Sequence, residues 1–444
     1  MDSPASASAA SASHDATPSD SPPQDKREPE AQPQNARQPG IALVLQGGGA
    51  RAAYQVGVLK ALSEILGHPV ENPFPIITGT SAGAINAAVL AAHADNFAKG
   101  VETLVNVWSQ FSPDQVYRTD FPGVFRNSAR WMSALVFGAM SKNHKVSLFD
   151  NSPLFDLLRN HVDVERISKH IESGALRAVS VTASGYTSGQ NCAFFQGAPE
   201  LNGWKRSLRV GIRVQQLSVE HLVASAAIPF AFPAIKIHRE YFGDGSIRQM
   251  APVSPALHLG AERVFVVGTA KLVKEVPDRT RSDSYPSLAQ IAGHAMSSIF
   301  LDTLAVDIER LLRINSTLKL VDEAKMKASG GQLHHVDVCV ACPNEPLDVL
   351  AHKHVHDLPW TIRFLMRSIG AMRKGGATLA SYLLFDRGYC RALINMGYLD
   401  IMARREEISL FFDANSCPMP TDMPIPNFDP VSTTQMEAVK HVGQ

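Results

Sequence analysis

Cysteine is scarce in this chain, with five residues in 444. Cys192, Cys339, Cys342, Cys390 and Cys417 are odd in number and widely spread, so a disulfide framework is not what organises the fold. An excess of charge of either sign is also missing. Lys+Arg and Asp+Glu stand at 42 each, which gives no drive toward nucleic acid, and no nucleic-acid partner is expected. No run of 18 apolar residues occurs, so no transmembrane segment is expected. The nearest apolar stretch, 131–140, is too short to span and reads as a core or lid helix, with contact to a lipid surface as the other reading.

Large side chains are missing from the first 40 residues, which contain no Ile, Leu, Val, Phe, Tyr or Trp. Such a segment cannot bury enough apolar area to offset its ordering entropy, so 1–40 is expected to be a disordered low-complexity segment. It starts acidic and no apolar h-region follows, so it does not read as a signal peptide. A cytoplasmic protein is expected, or one exported as an effector without a cleaved signal. The stretch 415–444 is rich in proline and polar residues and reads as a flexible tail.

The interior is different. Hydrophobic residues make up 45% of the chain, enough for a sizeable core. An apolar run at 41–45 ends in glycines and reads as a buried strand. Residues 50–66 carry apolar side chains at helical spacing. A second strand leads through Ile76 and Ile77 into an Ala-rich helix at 82–92. Further strands are expected at 176–183, 235–237, 264–267 and 336–340. Long helices are expected at 288–315 and at 362–402, the latter broken near 375–376. Alternating strands and helices indicate an α/β fold around a mainly parallel sheet. Domain boundaries are set at 41–320 for the main domain and 321–414 for a strand and helices packed on it.

Cys339 and Cys342 form a C-x-x-C. A redox pair needs its first cysteine at a helix start, and a zinc site needs two more ligands, for which only His334 and His335 are near. The surrounding pattern reads as a core strand instead.

Three motifs carry chemistry. Gly79-Thr80-Ser81-Ala82-Gly83 stands between a strand and a helix. A nucleophilic serine needs its hydroxyl pushed out at a tight turn, and the small residues at Gly79 and Gly83 permit that elbow. Gly47-Gly48-Gly49-Ala50-Arg51 follows a strand and opens a helix. Its bare backbone N–H groups suit an oxyanion or a phosphate. The spacing Gly47, Gly49, Ala52 fits a dinucleotide fingerprint, but the second strand ends without the acidic residue such a unit needs, and a phosphate-binding G-K-[ST] is absent. The oxyanion reading is therefore preferred. Gly243-Asp244-Gly245 is a turn at a strand end, a setting in which turn chemistry is the default.

In this order, G-G-G-x-R, G-x-S-x-G and D-G resemble the patatin-like phospholipase family. The similarity runs from about 41 to 269 and includes Ser225 to Pro229, which is similar to the family's S-x-A-x-P segment. Ala52 and Ser246 replace small family residues, and Met250-Ala251-Pro252 replaces Asn-x-Pro. The resemblance implies a three-layer fold with a mainly parallel central sheet flanked by helices. It implies a lipid acyl hydrolase that cleaves phospholipid or other lipid esters through a Ser81 acyl-enzyme. Asp244 would be the base, Gly47, Gly48, Gly49 and Arg51 would form the oxyanion hole, and Gly243 and Gly245 would frame the proton acceptor. Arg51 would brace the glycine loop or face a head-group phosphate. No metal or cofactor is implied. Two alternatives stay open: an α/β-hydrolase triad using His258 or His294, and a non-catalytic lipid-binding protein on the same fold. Removing residues 1–40 is expected to leave turnover of a soluble ester unchanged within about twofold, because terminal segments are rarely tied into a core. A purified truncation with collapsed activity would show that the segment docks on the fold.

Overall fold

The computed structural model describes residues 40–118, 147–272, 287–300, 302–321, 333–368, 370–372 and 376–413. The expected apolar helix at 131–140, Cys417 and both terminal segments lie outside these residues.

The central element is a ten-stranded mixed sheet. Its strands are β1 (Ile41–Leu45), β2 (Ile76–Thr80), β3 (Ala178–Gly185), β4 (Asn191–Gly197), β5 (Trp204–Arg206), β6 (Arg209–Arg213), β7 (Ile235–Ile237), β8 (Glu240–Asp244), β9 (Arg263–Val267) and β10 (Asp337–Ala341). The order is β10-β9-β1-β2-β3-β4-β6-β5, with β8 paired to β3 and β7. From β10 through β3 every pairing is parallel. β3 and β4 run antiparallel, which the sequence pattern did not signal.

Alternation along the strands separates two cores. In β1, Leu43 and Leu45 join one cluster while Ala42 and Val44 join the other. In β9, Phe265 and Val267 face the first cluster and Val264 and Val266 the second. A central strand buried on both faces must be apolar at every position, which explains the unbroken run at 41–45. Helices Ala53–Ile65, Ala82–Ala91 and Arg387–Met402 fill the first side. Helix Asp302–Leu318 closes the other with Leu304, Ile308 and Leu311. The result is three layers: helix, sheet, helix.

One helix expectation needs correction. The segment 362–402 is not one helix with one break. It contains Trp360–Ser368, Ala377–Leu383 and Arg387–Met402. The second break falls at Asp386, whose side chain accepts from the N–H groups of Gly388 and Tyr389 and so starts a new helix. The helix expected at 288–315 is found, with Leu288–Phe300 and Asp302–Leu318 belonging to one helical stretch, Ala289–Leu318. By length and composition the stretch Ala289–Leu318 is apolar enough to cross a membrane. Its second half is nevertheless tied to the domain: Asp307 accepts from Val253 N–H at 3.0 Å, and Asn315 pairs with the Val336 backbone at 2.8 and 3.1 Å.

The C-x-x-C lies on and just after β10. Burial pushes the Cys339 and Cys342 thiols up to about 12, so neither is a thiolate at neutral pH. The core-strand reading is the one the packing supports.

Candidate active site

Parallel pairing along β3 sets up the site. β2 pairs with β3 until Thr80 meets Thr182. The next residue of β3, Ala183, is paired with Asp244 of β8, which runs antiparallel to β3. β2 and β8 therefore approach each other tip to tip along one edge of β3. Both chains must leave the sheet where they meet, and the residues at that point are Ser81 and Asp244.

Ser81 turns out with φ 56° and ψ −130°, left-handed backbone that a non-glycine residue adopts at a cost of order 1–3 kcal/mol. The neighbours make the turn possible. A Cβ on Gly79 would collide with the Gly83 carbonyl, and one on Gly83 would collide with the Leu45 and Gln46 carbonyls. Helix Ala82–Ala91 begins immediately after Ser81 and directs its N-terminus there. Ser81 N–H donates to Ser225 Oγ at 2.8 Å, and Ser225 Oγ–H donates to Thr182 O at 2.6 Å. Ser225 thus locks the elbow to β3. Only its place in the A-S-A-A-I-P segment marked it in the sequence.

Ser81 Oγ donates to Asp244 Oδ2 at 2.6 Å, and both residues are buried. Asp244 Oδ1 accepts from Ser246 N–H at 2.9 Å, and Asp244 N–H donates to Ala227 O at 2.9 Å. Burial pushes the Asp244 carboxyl up to about 6, with the bonds from Ser81 and Ser246 pulling the other way. Gly243 lies against the Tyr186 hydroxyl, and Gly245 is wedged against Thr182 O and Thr80. No histidine takes part in these bonds. His258 stacks on Trp204 with ring centroids 4.8 Å apart and bonds to Ser254 O, and His294 is exposed on helix Leu288–Phe300.

The glycine loop lies alongside. A Cβ on Gly47 would sit 3.0 Å from Ser81 Cβ. Gly49 has φ 56° and abuts the Tyr382 carbonyl, so only glycine fits there without strain. Gly48 abuts Thr269, whose hydroxyl donates to Gly47 O at 2.7 Å. Among the described residues, the N–H groups of Gly47, Gly48 and Gly49 meet no acceptor. Buried N–H groups are nearly always paired, so a loop presenting three without acceptors has the chemistry that suits an anion.

Arg51 points elsewhere. Its Nε donates to Ser381 Oγ at 2.7 Å, and its guanidinium lies 4.4 Å from the centre of the Tyr382 ring. The side chain is buried, so it braces the loop from behind. A second brace was invisible in the sequence. Trp108 Nε1 donates to Asn86 Oδ1, Asn86 Nδ2 to Gln55 Oε1, and Gln55 Nε2 to Gln46 O, at 2.9, 2.9 and 2.7 Å. This buried line ties the residue before the glycines to three helices. Nothing in local spacing announces it, since its members lie far apart in the chain.

Ser81 and Gly49 are among the residues that line an apolar pocket. Ala82, Ile85 and Val89 line one side at helical spacing, and Leu154, Leu157 and Leu158 lie among the remaining lining residues. Trp108, Phe111 and Phe385 add an aromatic wall. A serine elbow in the lining of such a pocket suits an acyl chain ending in a carbonyl.

The sequence profile of the family described as patatin-like phospholipase matches residues 43–257, a span that holds the glycine loop, the elbow and Asp244. A cGAMP-activated phospholipase of Pseudomonas aeruginosa is 26% identical over 222 residues, 49% of this chain and 55% of that protein. A cUMP-AMP-activated phospholipase of Escherichia coli is 49% identical over 49 residues, 11% of this chain and 15% of that protein. The matches thus span about half or less of these relatives. Among solved structures, VipD from Legionella pneumophila aligns over 81% of this chain and 67% of its own, at 12% identity and a TM-score of 0.27. Residues 43–257 of this chain are a domain of the patatin-like phospholipase family.

Proposed function

We propose that the chain hydrolyses carboxylic esters of lipids through a covalent acyl-enzyme on Ser81, with Asp244 as the base. The observation that carries this reading is the 2.6 Å hydrogen bond from Ser81 Oγ to Asp244 Oδ2, with Ser81 in the lining of an apolar pocket. Asp244 takes the hydroxyl proton as Ser81 Oγ bonds to the ester carbonyl carbon. The carbonyl oxygen becomes an oxyanion facing the N–H groups of Gly47, Gly48 and Gly49, and loss of one such donor typically costs roughly 100- to 1,000-fold in rate. Collapse breaks the bond to the alcohol, which leaves with the proton from Asp244. Water then attacks the acyl-enzyme and gives its proton to Asp244. The second collapse frees the fatty acid and returns the proton to Ser81. No metal or cofactor enters this scheme. The working unit is 41–414, in which 41–320 supplies the reacting groups and 321–414 supplies the Ser381 and Tyr382 brace.

The test is a panel of phospholipid, lysophospholipid and glyceride esters with wild type and Ser81→Ala. The relatives' names denote activation by cUMP-AMP and cGAMP. Each arm is therefore run with and without cyclic dinucleotides, so that a need for an activator is not mistaken for inactivity. Hydrolysis that survives in the alanine variant removes the proposal.

Two further outcomes are expected. Asp244 can accept a proton only when ionised, so kcat/KM on a soluble ester should rise with pH and reach half its plateau near pH 6. A flat profile from about pH 5 to about pH 8 would speak against a buried carboxylate base. Ile85 lines the pocket next to Ser81. Ile85→Trp should lower turnover of long-chain esters by about tenfold or more while sparing acetyl esters, since overfilling a packed pocket excludes the chain and not the carbonyl. Equal loss on both substrates would place the acyl chain elsewhere.

A further inference from the structure

Resting on the reading of the chain as a lipid hydrolase, we propose that helices Leu288–Phe300 and Trp360–Ser368 form a docking face for an anionic lipid surface. Helix Trp360–Ser368 buries Thr361, Ile362 and Met366 against the fold. Its outward stripe carries Trp360, 61% exposed, and Phe364, 72% exposed, one turn apart. Arg363 and Arg367 fall on the same stripe, the four residues lying within an arc of about 100° at 3.6 residues per turn. The helix contains no Asp or Glu, and neither arginine has a salt-bridge partner among the described residues. Trp360 and Phe364 thus keep most of their apolar surface in water, a cost that burial against an apolar layer would relieve. Aromatics beside guanidinium groups are what the boundary of an anionic bilayer selects: the rings enter the head-group layer while the cations meet phosphates.

Helix Leu288–Phe300 extends the face. It has no Asp, Glu, Lys or Arg along its length, although Ile291, His294, Ala295 and Ser298 are exposed. Only 27% of the most apolar stretch of Ala289–Leu318 is buried. The two helices adjoin, because a Cβ on Gly370, just past the first, would sit 2.9 Å from Ser287 Cβ, just before the second. The absence of any acid on either helix favours a surface of anionic lipid over a basic or neutral partner.

The face also touches the candidate site at one remove. Gly293 packs on Thr378 and Leu379 of helix Ala377–Leu383. That helix holds Arg51 through Ser381 and abuts Gly49 through the Tyr382 carbonyl. Docking therefore presses on the element that backs the glycine loop.

The experiment uses full-length Ser81→Ala, which separates binding from hydrolysis, in co-sedimentation with vesicles of phosphatidylcholine alone or mixed with phosphatidylglycerol. Binding is expected only to the anionic vesicles and is expected to fall as salt is raised. Arg363→Glu with Arg367→Glu should weaken it by about tenfold or more, and Trp360→Ser with Phe364→Ser should do the same. Arg363→Lys with Arg367→Lys should retain it, which rules out loss through misfolding. In the Ser81 background these variants should hydrolyse a short soluble ester within about twofold of wild type, since none lies in the reacting machinery. Equal binding to neutral and anionic vesicles, or charge reversal without effect, overturns the proposal. So does a dimer that the Trp360 and Phe364 substitutions dissociate, because the face is then a contact between copies. Failure of soluble-ester hydrolysis by wild type both with and without cyclic dinucleotides refutes the hydrolase reading instead, and vesicle binding by Ser81→Ala is read independently of it.

Discussion

Asp244→Asn is expected to lower ester turnover by roughly 10³- to 10⁴-fold, at the upper end of what a positioned general base contributes, while the protein stays folded. Asparagine keeps the size of the side chain and an oxygen for the Ser246 N–H. It removes the carboxylate acceptor that lies 2.6 Å from Ser81 Oγ at Asp244 Oδ2. The same substitution has a stability signature. Asp244 holds its proton more tightly in the folded chain, up to about 6, than an ordinary carboxyl does. Its contribution to stability is therefore full at low pH and declines as pH rises through about 6, by an amount on the order of 2–3 kcal/mol. The asparagine side chain carries no charge to bury. The variant should accordingly match or exceed wild type in thermal stability near neutral pH and lose that advantage in acid. Kinetics and melting curves measured across the same pH range check both halves. An inactive variant that is also unstable at neutral pH would assign Asp244 to structure. Full activity in the asparagine protein would remove it as the base.

Ser81→Ala is expected to cost more, on the order of 10⁴- to 10⁶-fold, because no acyl-enzyme can form and only the loop and the pocket are left to act. A fluorophosphonate probe should label wild type at Ser81 alone and leave the alanine variant unlabelled. His258→Ala and His294→Ala should each keep most activity, since one ring is stacked on Trp204 and the other is exposed. If one of these histidine variants proved as inactive as Ser81→Ala with its fold intact, a triad would replace the dyad.

Much of the framework was legible locally. The run at 41–45 is apolar at each position because β1 is buried on both faces, and its boundaries in the structure are the same. The helix expected at 82–92 is found at Ala82–Ala91, and its start is fixed by the turn that Gly79 and Gly83 allow. Less was legible where partners are distant. β4 and β6 gave no clear signal, because both mix polar and apolar residues without a clean period. The helix expected at 362–402 with one break near 375–376 has a second division that went unread, because apolar spacing continues across Leu384 and Phe385, while the Asp386 cap acts through hydrogen bonds that periodicity does not record.

Local residue order was enough to set the elbow around Ser81, the bare loop at Gly47–Gly49 and the turn at Asp244, because each depends on small residues within a few positions of one another. Long-range packing set what these pieces meet. Ser81 and Asp244 are 163 positions apart and come together because β8 takes over the edge of β3 where β2 ends. Arg51 and Ser381 are 330 apart, and their contact turns the motif arginine away from any head group and into a brace. The raised Asp244 carboxyl follows from burial, a property of the whole packed core and of no single motif. Short-range chemistry is written in neighbouring residues, whereas desolvation and long-range pairing exist only once the sheet has closed around them.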